Sequence, residues 1–331
     1  MRIRILLGFG WALLISLISS NAVGQSTKIA SDYPNRTIRL IVPFNAGGPA
    51  DALARPLAEA LNKKYGYQII IENKPGANTA IGAQYVAKSN ADGYTLLFGS
   101  DAGMSLAPAT QKSLPYNAAK DFSGVSMVAQ LTQLLFVSDS FPATSVLELA
   151  SLAQKSPNSV SYASIGAGSQ SHVAIETLSR QLKIKMNHIP YTGATTALTD
   201  VVAGNVQVMM STIAGPLPFI KSGKIRPLAL AGPERNKILP NVPTFTEAGV
   251  SGFESRGWFG IMAPAKTPPE VINLLSKHIW EIAHSDQYVS QVIEFHGFDI
   301  AKVSPKDFPE FLVNDRLKWK NLVDQMGDSL N

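Results

Sequence analysis

The stretch TIRLIVPFNAGGPADALARPLAEALNKKY, residues 37–65, contains the pattern that decides the fold. Its first six residues, TIRLIV, form a short apolar run that predicts a strand. Residues 49–65 then place Leu53, Leu57 and Leu61 at helical spacing, which predicts an amphipathic helix. The turn between them, PFNAGG, is rich in small residues. A strand that leads into a helix in this way is the repeating unit of an α/β protein.

The rest of the chain repeats this alternation. Strand-like runs recur at 68–72, 94–98, 160–163, 187–189, 207–210 and 227–231, and segments with helical periodicity separate them. This order favours an α/β fold with largely parallel sheets. Two extended runs, at 125–137 and 253–262, are longer than the others, and we expect them to cross between two lobes.

The composition narrows the function. The 331 residues include 45% hydrophobic and 16% charged residues, which is typical of a folded chain with a sizeable core. The absence of cysteine excludes a disulfide scaffold, a thiolate metal site and a cysteine nucleophile. Lysine and arginine are not clustered, so a nucleic-acid partner is not expected.

Sequence motifs for nucleotide binding, metal binding and catalysis are also missing. Neither a P-loop nor a nucleophile elbow occurs, and the five histidines show neither an HExxH pattern nor a close pair. Ser169 and His172 are three residues apart. We interpret them as a capping serine and a packed histidine, because no third residue is evident to orient a base. We therefore predict no catalytic residue, no metal site and no cofactor.

Residues 1–24 have the three parts of a secretory signal peptide. Met1–Arg4 is basic, Ile5–Ile18 is apolar, and small polar residues follow up to a cleavage site predicted near Gly24 and Gln25. The alternative is an uncleaved membrane anchor, but the apolar run is shorter than the ~20 residues that a spanning helix needs. We expect an exported, soluble protein.

Four strand-to-helix loops are rich in small residues and lack lysine and arginine: Pro43–Asp51, Gly99–Ser105, Ser164–His172 and Pro190–Thr196. Glycine lets the backbone approach a ligand closely, and the free N–H groups at a helix start bind anions without a basic side chain. Ligands of open α/β sheets bind beyond the carboxyl ends of the strands, where these loops lie. The loops therefore predict a cleft that holds a carboxylate on N–H groups, hydroxyls and bridging waters.

Ordered sequence matches along nearly the whole mature chain point to a family. They include PFNAGGPADALAR (43–55), ADGYTLLFGS (91–100), YASIGAGSQSH (162–172), HIPYTGATTALTD (188–200) and WFGIMAPAKTPPEVINLLS (258–276). From about Tyr33 onward, the sequence resembles the periplasmic solute receptors of tripartite tricarboxylate transporters, the Bug-type receptors.

This resemblance implies a two-lobed α/β periplasmic-binding-protein fold, a type II Venus flytrap with two mixed sheets and a hinge of crossing strands. Together with the two long extended runs, it places lobe 1 at residues 33–130 plus 254–331 and lobe 2 at residues 131–253. It also implies a monomeric periplasmic receptor, not an enzyme. Such a receptor captures a small organic carboxylate and delivers it to inner-membrane transporter subunits.

The resemblance also implies which residues contact the ligand. In chain order they are Phe44, Asn45, Ala46, Gly47, Gly48, Asp51, Ser100, Asp101, Ser164, Gly168, Ser169, Tyr191, Thr192, Thr195 and Asp200. We hypothesise that backbone N–H groups near Ala46–Gly48 and Gly168–Ser169 hold one ligand carboxylate from opposite lobes.

Two of these positions depart from the pattern of the family. Asp101 adds a carboxylate to a loop that is normally neutral, and Thr192 stands where lysine or arginine is frequent. Both changes disfavour a second negative charge. We therefore hypothesise a monocarboxylate ligand, with an amino or ring-nitrogen group that Asp101 can pair with. The alternative is that Asp101 turns to solvent or caps the following helix.

Two other functions stay open at this point. An exported receptor of the same kind can present its ligand to a membrane sensor instead of a permease, and the sequence does not separate these roles. A secreted hydrolase would need a nucleophile, a base and an orienting residue, and the sequence shows no such set.

Overall fold

The computed structural model describes residues 33–327, so the predicted signal peptide at residues 1–24 lies outside the described residues. Ten strands form one mixed sheet in the order β2-β1-β3-β9-β4-β7-β5-β6, and β8 and β10 both pair with β4. The strands are β1 (Ile38–Val42), β2 (Ile69–Asn73), β3 (Thr95–Ser100), β4 (Phe122–Ser138), β5 (Ser161–Ser164), β6 (Asn187–Pro190), β7 (Val208–Thr212), β8 (Ile225–Leu230), β9 (Arg256–Pro264) and β10 (Asp299–Ile300).

Helices follow most of the strands, as the alternating sequence pattern predicts. They are α1 (Pro49–Tyr65), α2 (Ala80–Ala87), α3 (Ala107–Thr110), α4 (Val146–Lys155), α5 (Gln170–Leu182), α6 (Ala194–Val202), α7 (Leu217–Lys221), α8 (Pro269–Ala283), α9 (Asp286–Tyr288) and α10 (Phe308–Met326). Two π-helical segments, π1 (Ala102–Leu106) and π2 (Val289–Glu294), adjoin α3 and α9. Within residues 33–327, none of the helices combines the length and apolar character needed to cross a membrane.

The two long extended runs become the strands that join the two parts of the sheet. β4 pairs with β9 from Phe122 to Thr132 and with β7 from Gln133 to Val137. On one side of this crossing β1 lies parallel to β2 and β3, and on the other side β5 lies parallel to β6 and β7. The predicted hinge of crossing strands is confirmed, but the two predicted mixed sheets are one continuous sheet, because β4 pairs with strands of both lobes.

The hydrophobic core is divided in the same way. Side chains up to Leu131 and from Trp258 onward pack into one pair of large clusters, whereas those from Leu134 to Phe253 pack into another pair. Along the chain, the boundaries between the two pairs of clusters fall within β4 and close to the start of β9. This division supports the predicted lobe boundaries, which stay a prediction, and lobe 1 and lobe 2 below refer to these two parts.

The C-terminal helix α10 contacts both lobes. Its first residue, Phe308, belongs to a core cluster of lobe 1. Further along, Trp319 and Met326 form a small cluster with Leu106 of lobe 1 and Val173 of lobe 2. The helix therefore lies across the junction of the two lobes.

Candidate functional site

The loop before α1 presents an open helix start. Gly48 is the N-cap, with φ −82° and ψ −179°, no side chain caps the helix, and Pro49 is its first residue. Within the described chain, no acceptor bonds the N–H groups of Gly48, Ala50 and Asp51. The positive end of the helix dipole adds to these free donors, so the site favours an anion. Residues 45–47 are exposed, and a ligand can therefore reach this start.

Asp51, a predicted ligand residue, is buried and holds this loop. Its carboxylate accepts hydrogen bonds from Gly47 N–H at 3.0 Å, Arg55 Nε at 2.7 Å and Asn73 Nδ2 at 3.0 Å. Burial raises the pKa of the Asp51 carboxyl, but these hydrogen bonds outweigh burial and hold the pKa below its usual value. Asn73 Nδ2 also donates to the Phe44 carbonyl at 3.1 Å. Asp51 and Asn73 together fix the shape of the loop that leads into α1.

The segment after β3, which we predicted to be a loop, is a buried helix start. β3 ends at Ser100 and π1 begins at Ala102, so Asp101 lies between them. Asp101 is 5% exposed, which excludes the alternative that it turns to solvent. Its Oδ1 accepts from Trp258 N–H at 3.4 Å, and its Oδ2 has no partner within the described chain. Burial, and then the nearby Asp315 carboxylate, raise the pKa of Asp101 to about 7.

In the loop before α5, N–H groups are hydrogen-bonded to acceptors of the same segment. Ser169 is the N-cap, and its Oγ accepts from His172 N–H at 3.4 Å. Gly168 N–H donates to His172 Nδ1 at 3.0 Å, and Ser169 N–H donates to the Gly166 carbonyl at 3.2 Å. The two N–H groups that we expected to hold a carboxylate are therefore engaged within the loop. The reason is the capping serine together with a histidine that folds back onto the glycine.

A stacked imidazole pair supports this second loop. The ring centroids of His172 and His188 are 3.8 Å apart, with 15° between the planes. His188 Nε2 lies 2.6 Å from Oγ of Ser164, a fully buried residue. Since His172 Nδ1 accepts a hydrogen bond from the Gly168 N–H, the proton of the neutral ring is assigned to Nε2. Burial, and then the neighbouring His188, lower the pKa of His172 to about 4, and burial lowers the pKa of His188. Both rings are therefore neutral at pH 7.

The loop before α6 presents the second open helix start. Gly193 is the N-cap, with extended φ 179° and ψ 165° and no side-chain cap. Thr195 and Thr196 are exposed, and the described part of the chain offers no acceptor to their N–H groups. The Tyr191 hydroxyl donates to Asp200 Oδ2 at 2.6 Å, so two predicted ligand residues bond to each other beside this start.

The predicted residues separate into an accessible group and a buried group. Exposed or half-buried are Phe44, Asn45, Ala46, Gly47, Gly48, Gly168, Ser169, Tyr191, Thr192, Thr195 and Asp200, whereas Asp51, Ser100, Asp101 and Ser164 are buried. The accessible residues lie at or beside the starts of α1, α5 and α6. The buried residues either stabilise the loops, as Asp51 and Ser164 do through hydrogen bonds to loop backbone, or lie at the lobe junction, as Asp101 does.

Two close approaches bring the lobes together. A Cβ atom at Gly168 would lie 3.6 Å from the Thr110 side chain. A Cβ atom at Gly257 would lie 3.0 Å from Asp101 Oδ1 and 3.2 Å from Gln170 Nε2. In contrast, no hydrogen bond within residues 33–327 joins the loop before α1 to lobe 2.

Sequence reasoning did not identify Asn73, Gln170 and Gly257. Gln170 is the first residue of α5 and lies within the predicted loop segment Ser164–His172, and that position was a usable signal. Asn73 and Gly257 lack a local signal, because their partners come from segments far away in the chain. The described residues contain no group of three or more histidine, aspartate or glutamate side chains that could hold a metal ion.

The crossing strands join two lobes, and each lobe has a helix start with free N–H groups. This is the architecture of a two-lobed solute-binding protein of the periplasmic type. The chain belongs to the tripartite tricarboxylate transporter receptor family, whose family model matches residues 53–328. Protein BugT of Bordetella pertussis is 34% identical over 313 residues, which cover 93% of this chain and 94% of BugT. The family resemblance of the sequence is confirmed.

Solved structures agree with this assignment. The structure of R. palustris Rpa4515 with adipate has a TM-score of 0.81 and 32% identity, and the match covers 89% of this chain and 99% of that chain. MatC (Rpa3494) from Rhodopseudomonas palustris with bound malate has a TM-score of 0.75 and 30% identity, with coverages of 88% and 100%. The predicted two-lobed fold is confirmed, and both of these similar proteins hold a small carboxylate.

Proposed function

We propose that the protein captures a small organic carboxylate between its lobes in the periplasm and delivers it to the inner-membrane subunits of a tripartite tricarboxylate-type transporter. The observation that carries this proposal is the open start of α1. There the N–H groups of Gly48, Ala50 and Asp51 have no acceptor in the described chain. A carboxylate accepts from several such donors at once, at the positive end of a 17-residue helix.

The start of α6 supplies the matching contacts from lobe 2. Its first-turn N–H groups at Thr195 and Thr196 have no acceptor among the described residues, and the Thr195 side chain is exposed beside them. A ligand that accepts from both helix starts links the lobes, so binding favours the closed arrangement. Because neither start carries a lysine or arginine, we expect the affinity to depend on aligned N–H groups more than on net charge.

The histidines of lobe 2 support binding without turnover. His172 Nδ1 accepts from the Gly168 N–H, so this nitrogen is not available to take a proton from Ser169. Ser164 and His188 form a 2.6 Å pair, but Ser164 is fully buried and cannot reach a substrate. Neither serine therefore has the exposed, base-activated hydroxyl that nucleophilic catalysis requires.

Thermal unfolding of the exported, processed protein tests the binding part of the proposal. The protein is melted with a panel of mono- and dicarboxylates, and each acid is matched by its uncharged amide. We expect at least one acid to stabilise the protein by about 2.7 kcal/mol at one hundred times its dissociation constant, and its amide to have no such effect. If no carboxylate raises the melting temperature, the proposed function is wrong.

Uptake of the best ligand tests delivery to a transporter. Cells that lack the gene are compared with cells that regain it, and with cells that regain the variant Gly48→Val. We expect uptake to return with the wild-type gene alone. If the ligand binds but uptake does not depend on the gene, the protein serves a sensor or another partner instead.

A further inference from the structure

Asp101 of lobe 1 and Gln170 of lobe 2 meet beside the crossing strand β9. Both side chains approach Gly257, where a Cβ atom would lie 3.0 Å from Asp101 Oδ1 and 3.2 Å from Gln170 Nε2. A Cβ atom there would be in tight contact with both side chains, so glycine leaves them room to converge at this point. The lobe junction therefore holds a hydrogen-bond acceptor from one lobe close to a donor from the other.

Each of the two side chains has one buried polar atom without a partner. Asp101 Oδ2 and Gln170 Nε2 have no hydrogen bond within the described chain, although each atom is almost completely shielded. Asp101 as a whole is 5% exposed. A buried polar group without a partner is costly, so such groups are rare unless a ligand or water completes them. An open acceptor and an open donor on two side chains that converge at Gly257 indicate a ligand that offers both a donor and an acceptor.

This junction adjoins the open start of α1. The ring of Phe44, in the loop before α1, lies 5.8 Å from the ring of Phe259 on β9. Ser100, the residue before Asp101, pairs with Phe259 in the sheet. Gly257 is two residues away on the same strand. A small ligand whose carboxylate lies at the start of α1 therefore has its remaining atoms close to Asp101 and Gln170.

The charges around Asp101 favour a cation. Asp315 of α10 is also buried, accepts from Trp258 Nε1 at 2.9 Å, and acts with burial to raise the pKa of Asp101. Lys318 on the same helix opposes this effect, but less strongly. Two carboxyl groups in a poorly solvated place attract a positive ligand group more strongly than a neutral hydroxyl.

We propose that Asp101 and Gln170 select a carboxylate ligand that also carries a protonated nitrogen, such as an amino acid or a cationic heterocyclic acid. Asp101 Oδ2 accepts from the ligand N–H group, and Gln170 Nε2 donates to a ligand oxygen. When the lobes close over a plain carboxylic acid, Gln170 Nε2 can donate to one of its oxygens, but Asp101 Oδ2 stays without a partner. The inference rests on the proposed function and narrows its ligand class.

Calorimetry with matched ligands tests this inference. The panel has three carbon skeletons, each as the amino, hydroxy and unsubstituted acid: glutamate, 2-hydroxyglutarate and glutarate; phenylalanine, phenyllactate and phenylpropionate; alanine, lactate and propionate. For at least one skeleton we expect the amino form to bind about tenfold or more tightly than the unsubstituted form. Asp101→Asn should reduce this ratio at least about fivefold, and Asp139→Asn, which changes an exposed carboxylate of lobe 2, should leave it unchanged.

The possible outcomes separate this inference from the proposed function. If no member of the panel binds, the proposed function and this inference both fail. If the unsubstituted acids bind as tightly as the amino forms, or if Asp101→Asn leaves the ratio unchanged, only the selection by Asp101 is wrong. Asp101→Ser is measured as well, so that a folding defect of one variant does not decide the result. Gln170→Leu should weaken all forms of the bound skeleton alike, because its amide contacts an oxygen that they share.

Discussion

The helices α1 and α5 begin after glycine-rich loops that look alike in sequence, yet the two loops differ in what they leave free. At α1, the N-cap Gly48 has no side chain, and the first-turn N–H groups lack acceptors in the described chain. At α5, Ser169 caps the helix and His172 accepts from the Gly168 N–H. We therefore expect the first loop to receive an anion, whereas in the second loop the N–H groups of Gly168, Ser169 and His172 are already bonded.

Because of this difference, we expect lobe 2 to bind an anion at another helix. The start of α6 has glycine at its N-cap, as α1 does, and open N–H groups follow it. A glycine at the N-cap leaves the first-turn N–H groups without a side-chain acceptor, whereas Ser169 at its N-cap accepts from the His172 N–H. We therefore expect the residue at the N-cap, more than the glycine content of the loop, to indicate where a ligand binds.

The largest expected effect comes from Gly48→Val, which covers the open start of α1. The backbone at Gly48 is extended, and a Cβ atom there would lie 3.4 Å from the Asn45 carbonyl, so valine fits without strain. Its branched side chain, however, lies over the free N–H groups. We expect the affinity for the best carboxylate to fall about 100-fold, as calorimetry measures, with a native far-UV circular dichroism spectrum.

Gly193→Val makes the same change at the start of α6 and sharpens the comparison. A Cβ atom at Gly193 meets nothing within 4 Å, so this variant also folds. We expect a smaller loss, about tenfold, because residues 194–196 are exposed to water, whereas Ala50 and Asp51 are buried. Equal and full affinity in both folded variants would mean that the helix starts do not hold the ligand.

A second prediction concerns the pH dependence that Asp101 imposes on lobe 1. Burial and Asp315 raise its pKa from 3.8 to about 7, so the folded state holds the proton more tightly than the unfolded state. This contribution to stability is complete below pH 4 and is lost as the pH rises through 7. Asp101→Asn removes the titration, so the variant should gain stability over the wild type as the pH rises, by roughly 2 kcal/mol between pH 4 and pH 8.

Urea unfolding of the ligand-free protein at several pH values measures this gain. The matched control is Asp139→Asn, since the Asp139 side chain is 60% exposed and its ion pair with Arg226 is on the surface. The control should differ from the wild type by the same small amount at every pH. A constant difference for Asp101→Asn as well would show that the Asp101 carboxyl titrates normally.

Much of the fold could be predicted from the sequence, because it depends on local patterns. The strand-helix alternation and the unusual lengths of β4 and β9 are visible in the order of apolar residues. It was harder to predict which helix starts have free N–H groups. This depends on the orientation of the His172 ring, which accepts from the Gly168 N–H. The burial of Asp101 could not be predicted, because Asp315 and Trp258 reach it from segments more than 150 residues away.

A third prediction places the opposite pH dependence in lobe 2. Burial and His188 lower the pKa of His172 from 6.5 to about 4, so the unfolded state binds the proton more readily. This contribution to stability is complete above pH 6.5 and is lost as the pH falls toward 4. His172→Phe keeps the stacking on His188 but leaves Gly168 N–H without its acceptor. At pH 7.5 we expect the variant to be about 1 kcal/mol less stable than the wild type.

Below pH 6 the stability difference between the variant and the wild type should shrink. The wild type loses stability as the pH falls toward the pKa of His172, and the variant lacks this imidazole. Urea unfolding at pH 7.5, 6 and 5 measures this difference. A residual loss of stability toward low pH is expected from His188, whose pKa is also lowered by burial. If the difference stays the same at all three pH values, His172 does not control the acid sensitivity of lobe 2.

The smallest expected effect is that of Tyr191→Phe, at the start of α6. The Tyr191 hydroxyl donates to Asp200 Oδ2 at 2.6 Å, and this bond, together with a weaker one from Asn205, lowers the pKa of the Asp200 carboxyl. In the variant, the ring keeps its place and the N–H groups of α6 stay open. We expect the carboxylate affinity to fall by no more than about threefold, while the pKa of Asp200 rises toward its usual value. Calorimetry measures the affinity, and a carboxyl-carbon NMR titration of Asp200 measures the pKa. A loss of tenfold or more would show that the Tyr191 hydroxyl contacts the ligand itself, and lobe 2 would then bind through side chains where lobe 1 binds through its backbone.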